Sequence, residues 1–174
     1  MEMGLERDVQ RAVDRISEAD SVTIISHIDA DGISTESILA QALAREGIPA
    51  TSVFVRQLEP MAMRHIPDDD SLKIFTDLGA GQQALLEEHG LSADGVLIVD
   101  HHVSQPCGTA YPQVNCLDFG ITRMSAAGIA YMVARAIDSA NTDLAKLAVV
   151  GNVGDMMARE NCGLVGPARE IVQD

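Results

Sequence analysis

The feature that most constrains this chain is a regular alternation of short β-branched runs with longer stretches of helical spacing. "SVTIIS" (21–26), "ATSVFV" (50–55), "LKIFT" (72–76) and "GVLIVD" (95–100) are apolar, rich in strand formers and bounded by turn residues. Between them, "STESILAQALAREG" reads as a helix that stops at Gly47, and "GQQALLEEHG" as another. Ahead of the first run, "LERDVQRAVDRISEAD" sets Leu5, Val9, Ala12, Val13 and Ile16 on one helical face. After the fourth, "PQVNCL" is a further strand candidate, and "TRMSAAGIAYMVARAIDS" and "NTDLAKLAVVGNVGD" are two more helices. Strands separated by helices pair in parallel, because the helix is the crossover that returns the chain to the same end of the sheet. The predicted fold class is therefore α/β, a mostly parallel β-sheet flanked by helices on both faces. The 174 residues, 47% hydrophobic and 22% charged, suffice for one ordinary core, and no repeat, low-complexity stretch or linker divides them. The closing "GPAREIVQD" reads as a helix opening at Pro167 that stops short, as in a shortened chain or a domain whose companion lies elsewhere.

Charge narrows the classes of partner. The 26 acidic residues outnumber the 12 basic ones, a net charge of −14, which argues against this chain alone gripping a long polyanion. No apolar run approaches the ~20 residues needed to cross a bilayer, and the charged start "MEMGLERDVQ" lacks a secretory apolar stretch. A cytoplasmic protein with no membrane partner is expected. Cys107, Cys116 and Cys162 are odd in number and show no CxxC spacing, so reduced thiols are expected rather than a disulfide framework or a zinc knuckle.

The polar residues that remain fall where chemistry is expected. In parallel α/β sheets, ligands bind beyond the carboxyl ends of the strands. His27, Asp29 and Asp31 follow the first strand in "SHIDADG", and Asp77 follows the third. Asp100, His101 and His102 follow the fourth, and Asp155 closes the helix "LAKLAVVGNVG". Each has an ordinary reading alone: an aspartate can cap a helix, and paired histidines are often surface residues. Their joint placement on one rim is harder to explain that way. Gly32 is expected to let the backbone turn tightly from strand into helix while both aspartates face the rim.

Five aspartates and up to three histidines with no cysteine suit hard or borderline divalent cations better than a structural zinc. The cofactor expected is a pair of divalent metal ions, manganese foremost, with magnesium or cobalt as alternatives. Two such ions roughly 3.5–4 Å apart clamp the attacking and leaving oxygens of an in-line displacement, which makes phosphoester hydrolysis the natural reaction class.

"HIDADG", the aspartate of "FTDLG", the triplet of "VDHH" and the aspartate of "GNVGDM" resemble, in order and context, the four motifs of the DHH phosphoesterase superfamily. "MSAAGIAYMVARAI" is similar to the helix before the fourth motif in RecJ-like exonucleases, and the likeness spans residues 20–160, nearest to the archaeal type. The resemblance implies that His27, Asp29 and Asp77 hold one metal, and that Asp31, Asp77, His101 and Asp155 hold the second, with Asp77 bridging. It implies a catalytic His102 near the scissile phosphate, and an Asp100 that orients ligands from behind them. It also implies that residues 1–174 are the catalytic DHH domain without the DHH-associated second domain that such nucleases carry. "GNVGD" departs from the more usual "GTVAD", a difference read as subfamily drift.

Three functions follow as expectations. The first is a nuclease domain hydrolysing single-stranded DNA or RNA from an end, as in DNA repair and replication. The second is a phosphoesterase for short oligonucleotides, cyclic dinucleotides or pyrophosphate, which suits the acidic charge. The third is an interaction module of a replication or repair complex in which metal binding is residual. Arg123 and Ser125, at the start of a helix whose amides favour phosphate, are the expected substrate contacts. Arg56, Arg64 and His65 flank the loop "RQLEPMAMRH" as a conceivable lip over the cleft, while Met61 and Met63 are expected in the core.

Overall fold

In the computed structural model, which describes residues 2–174, the apolar runs form a five-stranded sheet in the order β2-β1-β3-β4-β5. The strands are β1 (Val22–His27), β2 (Ala50–Val55), β3 (Leu72–Thr76), β4 (Val96–Asp100) and β5 (Gln113–Asn115). Every neighbouring pair is parallel. Seven α-helices accompany them: α1 (Glu2–Ser17), α2 (Ala30–Arg45), α3 (Pro60–Met63), α4 (Gln83–Glu88), α5 (Ala126–Ile137), α6 (Ala145–Gly154) and α7 (Pro167–Glu170). The chain winds one way from β1 to β2 and the other way from β3 onward. The crevice at that reversal, between the carboxyl ends of β1 and β3, is where open α/β sheets bind their ligands.

Both faces of the sheet are covered, as expected, but unequally. Ile24, Ile74, Leu97, Val99 and Val114 turn to one face, against Leu5, Val9 and Ile16 of α1, Ile38, Leu39 and Leu43 of α2, and much of α5. Ile25, Phe75, Val96 and Ile98 turn to the other, where Leu58, Met63, Leu86 and Tyr111 cover them. Burial on both sides explains why β4 reads as an apolar run up to Asp100 rather than an alternating one, while β3 is equally buried although it carries Lys73 and Thr76. The edge strand β2 keeps an alternation only in part, and Phe54 stays 45% exposed.

Element boundaries shift where side chains compete for backbone groups. The helix expected from Ser34 begins four residues earlier, at Ala30, because the Asp29 carboxylate accepts the Gly32 amide and caps it there. The helix expected from Thr122 starts only at Ala126, and the segment before α6 is a 3₁₀ turn, Ser139–Leu144. The loop "RQLEPMAMRH" contains the single turn α3, opened by Pro60; of its methionines Met63 is core and Met61 is 58% exposed. The closing segment does form a helix at Pro167, and Ala168 and Ile171 complete the core beneath α5 and α6. No helix among the described residues is long and apolar enough to cross a membrane.

A lysine is buried inside the sheet. Lys73 of β3 is only 3% exposed, and its ammonium donates to the backbone oxygen and to the carboxylate of Asp69. Hydrogen bonds from Lys73 and then Ser71 hold the Asp69 carboxyl down to about 2. A carboxylate with a depressed folded pKa contributes stability above its unfolded value, and that contribution is lost as pH falls through the folded one. Asp69→Asn is therefore expected to lower the melting temperature at neutral pH, because it leaves a buried ammonium without its counter-charge. The gap to the wild type should close as the pH is taken down toward about 2. Melting curves of both proteins across that range check this, and a gap that does not change with pH contradicts it.

Candidate metal centre

The site begins with a steric constraint on β1. A side chain at Gly32 would collide with the His27 carbonyl, so glycine is what lets α2 start directly over the end of the strand. The glycine is thus needed for close approach inside the first helical turn, rather than for the tight turn predicted from sequence. Asp29, the cap of α2, accepts the Gly32 amide through Oδ1 at 2.9 Å and meets His27 Nδ1 through Oδ2 at 3.0 Å. Asp31, in the first turn of α2, is 1% exposed and points the other way, into the helices.

Asp77 follows β3 with a backbone φ of 57°, a left-handed conformation uncommon for a residue with a side chain. Its amide donates to the Val99 carbonyl at 3.0 Å, which holds it there. The result is a buried carboxylate whose two oxygens face two imidazoles: Oδ2 lies 3.4 Å from His27 Nδ1 and Oδ1 lies 3.3 Å from His101 Nε2. Strain of this sort, kept by surrounding structure, is characteristic of functional positions.

Asp100, at the end of β4, is fully buried and acts as a hub. Its Oδ1 accepts from the amides of His101 (2.7 Å) and His102 (3.2 Å) and pairs with His102 Nδ1 at 2.7 Å, while Oδ2 accepts the Ala80 amide at 3.0 Å. This carboxylate is thereby spent on orienting its neighbours. The bond to Asp100 lifts the His102 imidazole to about 9 against the opposing effect of burial. Asn115 of β5, 1% exposed, ties the same loop down by donating to the His102 carbonyl at 2.8 Å.

Asp155 caps the carboxyl end of α6 and brings Oδ2 to 3.5 Å from His101 Nε2. Asp31 Oδ2 stands 3.7 Å from the same nitrogen. Two groups match the expected ligand sets, His27 with Asp29 and Asp77, and Asp31 with His101 and Asp155, and a third joins Asp77 to Asp100, His101 and His102, the ligand atoms of each lying within 4.8 Å of one another. Asp77 stands between the first two groups.

The chemistry of these donors fits divalent cations. His101 Nε2 is buried and makes no hydrogen bond, although three carboxylates surround it at 3.3–3.7 Å. An orphaned imidazole nitrogen amid carboxylate oxygens is placed as a metal ligand would be. Burial first, then the charges of Asp31 and Asp29, push the Asp77 carboxyl up to about 7 against the pull of His101. Like charges crowded out of water are stabilised when a cation sits among them. Oxygen and imidazole donors without thiolate favour manganese- or magnesium-like ions.

The expected substrate contacts at the start of α5 are already buried or partnered. Ser125 is fully buried. The amides at the start of α5 that were expected to meet phosphate are already taken: Ser125 N by Asn152 Oδ1 at 3.0 Å, and Ala126 N and Ala127 N by the two oxygens of Asp31 at 2.9 and 3.0 Å. Arg123 is engaged by Glu160. Buried carboxylates outcompete an outside anion for a helix terminus they can reach, which sequence spacing alone does not reveal.

Sequence reasoning also missed the meaning of "GNVGD". A methyl group on Gly151 would clash with the Ala127 side chain and lie 2.6 Å from Asp31 Oδ1, and one on Gly154 would lie 2.7 Å from the Ala30 side chain. Two glycines one turn apart thus let α6 lie directly on α2 and α5. Gly151 is common to "GNVGD" and "GTVAD"; of the two departures, Gly154 gives α6 room against Ala30 and Asn152 is a buried hydrogen-bonding residue, and two glycines within an apolar helix were the available signal for the close packing. Gly151→Ala is expected to destabilise the fold by about 1–3 kcal/mol through overpacking. Urea unfolding measures this, and a change under about 0.5 kcal/mol would contradict so close an approach.

The sequence profile of the DHH family N-terminal domain matches residues 21–152. An uncharacterized protein of Methanocaldococcus jannaschii is 30% identical over 165 residues, 86% of this chain and 37% of that protein. Among solved structures, the exonuclease RecJ bound to manganese is similar at 21% identity and a TM-score of 0.71, over 98% of this chain and 46% of that one. RecJ of Thermus thermophilus in complex with Mn2+ is similar at 23% identity and a TM-score of 0.70, over 98% of this chain and 26% of that one. The chain thus spans less than half the length of each of these relatives. Its four motif segments, set on one rim of a parallel sheet, and the match over residues 21–152 lead to one conclusion: the chain belongs to the DHH family and contains its N-terminal domain.

Proposed function

We propose that this chain is the catalytic domain of a phosphoesterase that hydrolyses phosphodiesters of single-stranded DNA or RNA with two divalent ions, manganese fitting best. The observation that carries this reading is Asp77, whose two carboxylate oxygens face His27 on one side and His101 on the other. A residue so placed is suited to bridge. His27, Asp29 and Asp77 would hold one ion, and Asp31, Asp77, His101 and Asp155 the other. When bound, the ions supply positive charge to the phosphate oxygens and activate water for in-line displacement at phosphorus.

The remaining roles belong to the chain. Asp100 favours the protonated form of His102 and fixes its ring through Nδ1, which leaves Nε2 as the second donor. With 57% of its side chain exposed, His102 is open to a substrate at the rim. It would donate first to a phosphate oxygen and then give the departing oxygen its proton as the P–O bond breaks. His102→Gln is expected to lower kcat by about 10²–10⁴-fold, with manganese affinity nearly unchanged.

The net charge of −14 favours a second reading, in which the substrate is short. A dinucleotide needs no basic track, whereas a long strand must overcome the repulsion. The test is hydrolysis of a labelled dinucleotide, a short labelled RNA and a labelled DNA strand of about twenty nucleotides, each with manganese, by the wild type and Asp77→Asn. Metal-dependent cleavage, reduced roughly 10²–10³-fold or more in the variant, is the expected result. Cleavage of the dinucleotide alone would select the second reading. A wild type that binds manganese and cleaves none of the three would overturn both and favour an interaction module.

A further inference from the structure

We propose that Asn152 is a positioning residue for the ion site formed by Asp31, His101 and Asp155, an inference that rests on the two-ion reading above. Asn152 lies on α6, three residues before Asp155, and is fully buried. Its Nδ2 donates to the Ala148 carbonyl one turn back at 2.8 Å, which fixes which way the amide faces. Oδ1 is thereby left to accept the Ser125 amide at 3.0 Å.

The next two amides of α5 belong to Asp31 of α2. Three successive amides at the start of one helix are thus divided between the two helices that carry Asp155 and Asp31. The start of α5 is the common reference that sets those carboxylates relative to each other and to His101. Ser125 Oγ is buried and makes no hydrogen bond, so the N-cap side chain offers no substitute if Asn152 is removed. Gly151 stands against Asp31 Oδ1 with no room for a side chain, so any shift of α6 is transmitted to the ligand directly.

The other group, His27, Asp29 and Asp77, is set by β1, β3 and the cap of α2, none of which Asn152 touches. Its loss should therefore weaken one ion site and spare the other. A residue that merely stabilised the fold would lower the melting temperature without changing the ratio of the two affinities.

Manganese titration of the intact chain by calorimetry, well below the melting temperature, tests this. Asp29→Asn and Asp155→Asn assign the two binding steps. Asn152→Leu is expected to weaken the Asp155-dependent step by about tenfold or more and to leave the other nearly unchanged. Asn152→Thr restores a hydroxyl acceptor and should recover much of the loss. Val133→Ala, a core truncation on α5 away from the amides, should lower the melting temperature and leave both steps alone. If Asn152→Leu does not melt cooperatively, Asn152→Ala replaces it, and the same one-sided loss is required of it. Equal weakening of both steps, or of neither, overturns the proposal while the two-ion reading stands. A wild type without two manganese steps overturns that reading, and this proposal with it.

Discussion

The crowding of carboxylates around His101 is the constraint on which the rest of the structure depends. Asp31, Asp77 and Asp155 all come within 3.7 Å of one buried imidazole nitrogen, and Asp77 also meets His27. Removing so many charges from water is costly unless a counter-charge is supplied. The fold accepts this cost at one place, the reversal in strand order between β1 and β3. There, strand ends and helix starts deliver side chains from distant segments onto one rim.

The four motif segments differ in what they do for that rim. Those after β1 and β3 bring His27 and three aspartates to the rim, and the strained backbone of Asp77 is held by a bond to the neighbouring strand. Asp100 works from behind: its four hydrogen bonds join the loop after β3 to the histidine pair. The last segment depends on helix packing. Gly151 and Gly154 bring α6 onto α2, and Asn152 ties it to the start of α5. Buried polar networks of this kind are specific because each member leaves an unpaired group behind when removed.

Asp31 illustrates how one group can serve two purposes. Its carboxylate caps α5 with both oxygens, a favourable arrangement for a buried negative charge at a helix start. One of those oxygens also faces His101. A carboxylate oxygen has two lone pairs, so cap and ligand are compatible. The same arrangement occupies the α5 amides that were expected to meet a phosphate.

Much of the chemistry was legible in the order of residues. Strand and helix alternation follows from short-range periodicity, which a sequence displays directly. The placement of His27, Asp29, Asp31, Asp77, His101 and Asp155 after strand or helix ends predicted a shared rim, and the structure brings these side chains together. The sequence by itself therefore determined the α/β class, the family and the residue types available for metal chemistry, because these depend on local pattern and composition. Only the tertiary structure decided which carboxylates are free to serve as ligands, that Asp100 is occupied, that Asn152 links two helices, and that the glycines of "GNVGD" exist for close packing. Those properties depend on hydrogen bonds and contacts between residues some twenty to a hundred positions apart, and no local pattern encodes which of several competent partners a buried group will find.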